Sequence, residues 1–165
     1  MNIINSQKKI WSAGGVILKR INYDDTEVIL CRRIRQNLWA LPKGSPNDKE
    51  EIRETALREV REETGLNVEI IRLVDIIRYS FKRIKNKESD VDPCNFNMFD
   101  KQVYFYLMNA VGGRLDYHDD EFDEVKWVNV QKALGKLTYE NEKRVLEKAL
   151  AFFDASNSAT YSDST

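Results

Sequence analysis

Residues 44–66 read Gly-Ser-Pro-Asn-Asp-Lys-Glu-Glu-Ile-Arg-Glu-Thr-Ala-Leu-Arg-Glu-Val-Arg-Glu-Glu-Thr-Gly-Leu. Within this run Glu59, Glu62 and Glu63 stand at i, i+3 and i+4. On a helix, at about 100° per residue, that spacing sets all three carboxylates inside an arc of about 100°. Like charges this close repel by roughly 1 kcal/mol per pair at 4 Å in water, and several-fold more in a drier cleft. A divalent cation removes the repulsion. Hard oxygen donors suit Mg²⁺ or Mn²⁺ better than zinc, and Mg²⁺ usually arrives with phosphates. Glutamate-rich helices are more often plain solvated faces, and Arg58 with Glu62 would make an ordinary i, i+4 ion pair. Composition alone therefore favours no site.

The same run predicts its own helix. Asn47 is a capping residue and Glu50, three positions on, completes a capping-box pattern. The helix should run to about Thr64, with Gly65 just past its end. Ile52, Ala56, Leu57 and Val60 form its apolar face, and Glu50, Glu54 and Arg61 face water. The acidic triad then lies at the edge where helix meets core. Arg58 is placed to hold a neighbouring carboxylate in position. Glu50 reads chiefly as structural, with an occasional metal contact. Gly44 would let its carbonyl approach a cation.

The complete run resembles the Nudix box. The matching positions are Gly44, Glu50, Arg58, Glu59, Val60, Glu62, Glu63, Gly65 and Leu66. The flanks Ser12–Leu18, Trp39–Gly44 and Glu121–Val128 extend the likeness to roughly residues 11–150. The resemblance implies an α/β fold, an α/β/α sandwich around a mixed sheet. It also implies hydrolysis of a nucleoside diphosphate linked to a variable group, with Mg²⁺ or Mn²⁺ held by Glu59, Glu62, Glu63 and Gly44. Glu59, Glu62 and Arg58 would then serve catalysis, joined by a further acidic residue in a later loop. Glu121, six residues before Trp127, fits the diadenosine tetraphosphate hydrolase branch best, with Glu124 in reserve.

Lys43 and Lys101 suit an extended phosphate chain, and Tyr79 could flank a base. The resemblance to that branch implies a dinucleoside polyphosphate such as diadenosine tetraphosphate as the favoured substrate. Oxidised nucleoside triphosphates, diphosphoinositol polyphosphates and RNA 5′ ends are the alternatives. A non-catalytic nucleotide sensor is a further one, although sensors commonly have eroded boxes and this box is intact.

Other features bound the reading. The chain has 165 residues, 42% apolar and 32% charged, with a net charge of −1. That suits one globular domain and argues against a dedicated nucleic-acid binder, though a local basic patch is compatible with it. No apolar run is long enough to span a membrane, and the N-terminus has no hydrophobic signal core. Cys31 and Cys94 form no metal-binding pair, and Cys31 should be a buried thiol. The expected location is cytoplasmic, as a monomer or homodimer.

Strands are expected over Trp11–Lys19, Glu27–Arg32, Trp39–Leu41, Val68–Tyr79, Val103–Met108 and Val125–Val130, with a turn at Gly112-Gly113 and a second helix over Thr138–Phe153. Residues 1–10 read as a flexible leader, 11–153 as the domain and 154–165 as a disordered tail. Residues 82–100 read as a polar insertion, either a solvated loop or a lid whose Lys82, Arg83, Lys85 and Lys87 meet phosphates. His118 should lie in an exposed loop, and Trp11, Trp39 and Trp127 should wall the core or a cleft.

Overall fold

The computed structural model describes residues 8–84 and 96–162. Seven strands form one sheet: β1 (Lys8–Asn22), β2 (Asp25–Arg33), β3 (Leu38–Ala40), β4 (Lys43–Gly44), β5 (Leu66–Ile84), β6 (Phe96–Gly113) and β7 (Glu124–Asn129). The helices are α1 (Ile52–Thr64), α2 (Val130–Lys136) and α3 (Glu140–Ser162). The main path runs β3-β2-β1-β6-β5, with β4 on β1 and β7 on β2. β1 lies parallel to β6, from Lys8 opposite Phe99 to Ile17 opposite Met108, and every other pairing is antiparallel. The sheet is therefore mixed, as expected.

Alternation along β1 sends side chains to both faces. Ala13 and Ile17 meet Ala56 and Val60 of α1 on one side. Val16 and Leu18 meet Val145, Leu146 and Ala149 of α3 on the other. Two apolar layers against one sheet give the α/β/α sandwich. Cys31 is fully buried between strands, as its apolar neighbours predict. Trp39 is core, while Trp11 and Trp127 pack partly buried against the α1-side cluster.

Several expected boundaries move. Helix α1 begins at Ile52, behind Glu51, and the N–H of Glu51 is accepted by Glu54. Lys49 adopts a positive φ of 62°, which breaks the helical path from Asn47, so Asn47–Glu50 close a separate turn. The C-terminal end follows the sequence: Gly65 takes φ 73° and donates to the Arg61 carbonyl.

The segment read as a leader overlaps β1, because residues 8–10 pair with Phe99–Lys101. The 82–100 insertion is in part ladder, since Lys82–Ile84 pair with Phe96–Met98. The lid reading for Lys85 and Lys87 falls outside the described residues. Gly112-Gly113 ends β6 opposite Leu66 and Asn67 instead of forming a tight turn. The final helix reaches Ser162, into the span expected to be disordered. His118 closes a short 3₁₀ turn over Leu115–Tyr117. Among the described residues no helix is long and apolar enough to cross a membrane.

Candidate active site

Helix α1 presents Glu59, Glu62 and Glu63 along the edge facing β4 and the loop before β7. Glu59 and Glu63 are buried at 8% and 1% exposure, whereas the Glu62 side chain is 49% exposed. Arg58 organises this edge. Its Nε and Nη2 clasp the Glu50 carboxylate at 2.7 and 2.8 Å. Nη1 reaches Glu62 at 2.7 Å and Glu59 at 2.9 Å, and Nη2 also donates to the Ser45 carbonyl.

Glu50 additionally accepts the Asn47 N–H and the Thr55 hydroxyl. The Arg58 bonds, then those from Asn47 and Thr55, hold its carboxyl down at about 2. With its acceptors filled, Glu50 is a structural residue of the turn.

Glu63 lies beneath β4. Its Oε2 accepts the Lys43 N–H at 2.8 Å, while Oε1 is buried with no partner. Burial pushes this carboxyl up to about 9 against the Lys43 N–H, with the Glu121 and Glu59 charges adding to the rise. Burial also raises Glu59, opposed by Arg58 and reinforced by the charges of Glu62 and Glu121. A side chain at position 44 would collide with Glu59, since a Cβ there would stand 2.1 Å from the Glu59 carboxyl carbon. Glycine lets that carboxylate lie against the β4 backbone.

An orphaned buried oxygen, neighbouring carboxylate charges that add to the rise of Glu59 and Glu63, and an all-oxygen donor set fit a hard divalent cation. The triad shares one helix edge, but no three acidic, histidine or cysteine side chains among the described residues yet converge on one point. Glu59 and Glu62 instead turn toward Arg58.

The loop before β7 docks on this edge. The Asp119 N–H donates to the Glu62 carbonyl at 2.8 Å, and the Asp119 side chain accepts the Glu121 N–H. Arg33 grips Glu121 through both the side chain and the backbone carbonyl. Glu124 instead bonds Arg32 at 3.0 Å, with Lys126 at 3.5 Å, and Arg32 lowers its carboxyl.

Lys43 is held from the other side of the sheet. Its ammonium lies 2.9 Å from Glu142 of α3, and burial, which would lower its pKa, is outweighed by that carboxylate. Glu142 is 1% exposed and also accepts the Leu41 N–H at 2.8 Å. Nothing local in the sequence marks it, because an acid in the first turn of a helix is ordinary. Tyr79 and Lys101 face each other across β5 and β6 and line a cavity of about 360 Å³ with Trp11, Ser80 and Gln102. The acidic triad is not part of its wall, and Lys43, also outside the wall, acts on it through charge. Its charge opposes the burial that raises the Tyr79 phenol, and it adds to the burial that lowers Lys101.

The NUDIX domain family model matches residues 13–149. The chain belongs to the Nudix family. Its Nudix box is the Gly44–Leu66 run just described, from β4 through α1 to the start of β5. The chain is 32% identical over 148 residues to a putative mutator protein MutT4 of Mycobacterium tuberculosis, covering 87% of this chain and 55% of that protein. It is 33% identical over 124 residues to an RNA pyrophosphohydrolase of Xanthomonas campestris, covering 70% and 57%. It thus spans little more than half the length of these curated relatives. Among solved structures, an Ap4A hydrolase of C. elegans superposes with a TM-score of 0.58 at 21% identity, covering 88% of this chain and 98% of that one. A Nudix hydrolase of Nitrosomonas europaea gives 0.61 at 18% identity, covering 87% and 90%. These two share the Nudix fold.

Proposed function

We propose that this Nudix domain hydrolyses a diphosphate linkage in a nucleoside diphosphate derivative, using Mg²⁺ or Mn²⁺. The observation that carries the reading is the buried, unpartnered Oε1 of Glu63 beside Glu59 and Glu62 on one helix edge. Glu59, Glu62, Glu63 and the Gly44 carbonyl would hold the cation. When bound, a divalent cation neutralises phosphate charge and acidifies a coordinated water. Arg58 holds Glu59 and Glu62 in reach of that position, and both must exchange part of this contact on loading. Glu121, fixed by Arg33, accepts the proton of the attacking water. Lys43 and Lys101 bind the phosphate chain, and Tyr79 contacts a base.

A dinucleoside polyphosphate such as diadenosine tetraphosphate matches this spread of cations and aromatic surface. An RNA 5′ end is the second reading, and what favours it is the 33% identity to a protein named as an RNA pyrophosphohydrolase. The test is a product-resolved screen of nucleoside diphosphate derivatives with Mg²⁺, with Mn²⁺ and with chelator. Anhydride cleavage that requires the cation supports the proposal. Saturable nucleotide binding without turnover under any metal would make the domain a sensor instead.

A further inference from the structure

The outer part of the β5–β6 hairpin has two unlike faces. Register puts Tyr79, Phe81 and Arg83 of β5 on the same face as Asn97, Phe99 and Lys101 of β6, and Lys8 and Ile10 of β1 continue it. The rings form a ladder. Tyr79 and Phe81 lie 6.1 Å apart, Phe81 and Phe99 stack at 5.4 Å with 14° between planes, and the Arg83 guanidinium sits 5.6 Å from the Phe99 centroid. At these register positions every charged residue is basic: Lys8, Arg83 and Lys101. The opposite face carries Asp100, bonded to Ser80, together with Lys9, Arg78 and Lys82.

Cross-strand aromatic pairs do stabilise hairpins, which accounts for Phe81 against Phe99. It does not account for Tyr79 standing 41% exposed at the foot of the ladder, nor for a face of one charge sign on a chain of net charge −1.

We propose that this aromatic and basic face of the β5–β6 hairpin binds single-stranded nucleic acid. Stacking platforms flanked by cations are the general solution for holding a strand without reading its sequence. Alternate residues on a strand are about 6.6 Å apart, roughly twice the 3.4 Å rise of stacked bases. The ladder therefore suits bases already splayed apart, and a duplex does not offer them. Such binding is separate from hydrolysis, and a strand with a 5′ hydroxyl carries no anhydride to cleave.

The test uses the full chain and a fluorescein-labelled, 5′-hydroxyl oligonucleotide of about 12 nucleotides, as RNA and as DNA, followed by anisotropy at rising salt. The expected result is saturable binding that weakens with salt, and a matched duplex that binds at least about tenfold more weakly. Replacing both rings with leucine (Phe81→Leu with Phe99→Leu) keeps apolar bulk and removes the stacking faces. It should weaken single-strand binding by about tenfold while the circular dichroism spectrum stays native. Arg83→Glu should weaken it comparably. Preference for the RNA form would assign the strand as RNA, and equal affinity would assign either strand. No saturable binding at low salt, equal affinity for the duplex, or wild-type affinity in the folded leucine pair would overturn the proposal.

Discussion

Glu142 on α3 places one carboxylate oxygen 2.9 Å from the Lys43 ammonium and the other 2.8 Å from the Leu41 N–H. A single buried side chain thus clamps the segment just before the Nudix box, while Glu63 grips the same segment from α1 through the Lys43 N–H. Removing one partner of a buried pair leaves an uncompensated charge and costs about 3–5 kcal/mol. Glu142→Gln should lower stability by about that amount in urea titrations. Lys43→Met with Glu142→Gln should recover part of the loss, and a double variant no more stable than Glu142→Gln would show that the pair is not what the single change breaks.

Glu62 is half exposed and its bonds are to Arg58 alone among the described contacts of its side chain. Glu62→Gln should therefore fold normally, with a thermal midpoint close to that of the parent. Turnover should fall by at least ~100-fold, in line with loss of charge stabilisation at a reacting phosphate. Near-normal turnover in the folded variant would remove Glu62 from the site.

Arg33 fixes Glu121 beside α1, while Arg32 holds Glu124 on the β2–β7 ladder. Glu121→Gln should consequently lower kcat more than Glu124→Gln, measured on whichever anhydride the screen identifies. The opposite ranking would move the proton acceptor to Glu124.

Glu50 is held at about 2 in the folded protein, below the ordinary 4.5. A depressed carboxyl adds stability that is complete above the unfolded value and lost as pH falls through the folded one. Its contribution should therefore disappear between about pH 4.5 and pH 2. Glu50→Gln should be less stable than the parent at neutral pH, with the gap in urea midpoint closing across that window. A gap independent of pH would rule out the carboxylate as its cause.

Gly44 leaves no room for a methyl group beside Glu59. Gly44→Ala should displace that carboxylate, costing about 1–3 kcal/mol in overpacking and lowering activity more than Pro46→Ala does. Isothermal titration with Mn²⁺ should show weakened metal binding in Gly44→Ala and not in Pro46→Ala.

The sequence by itself determined the acidic helix, its end at Gly65 and the burial of Cys31, and its resemblance to the Nudix box implied the sandwich class. The first three are written in local spacing, and a helix or strand converts spacing directly into a face. Tertiary structure decided the rest. It moved the helix start to Ile52, because Glu50 is engaged by Asn47, Thr55 and Arg58 while Lys49 takes a positive φ. It drew residues 8–10 into the sheet through β6, and it gave Glu121 and Glu124 different arginine partners from β2. It also delivered Glu142 to Leu41, 101 positions away in the chain. Such contacts depend on where the backbone returns after many residues, and no short-range periodicity carries that information.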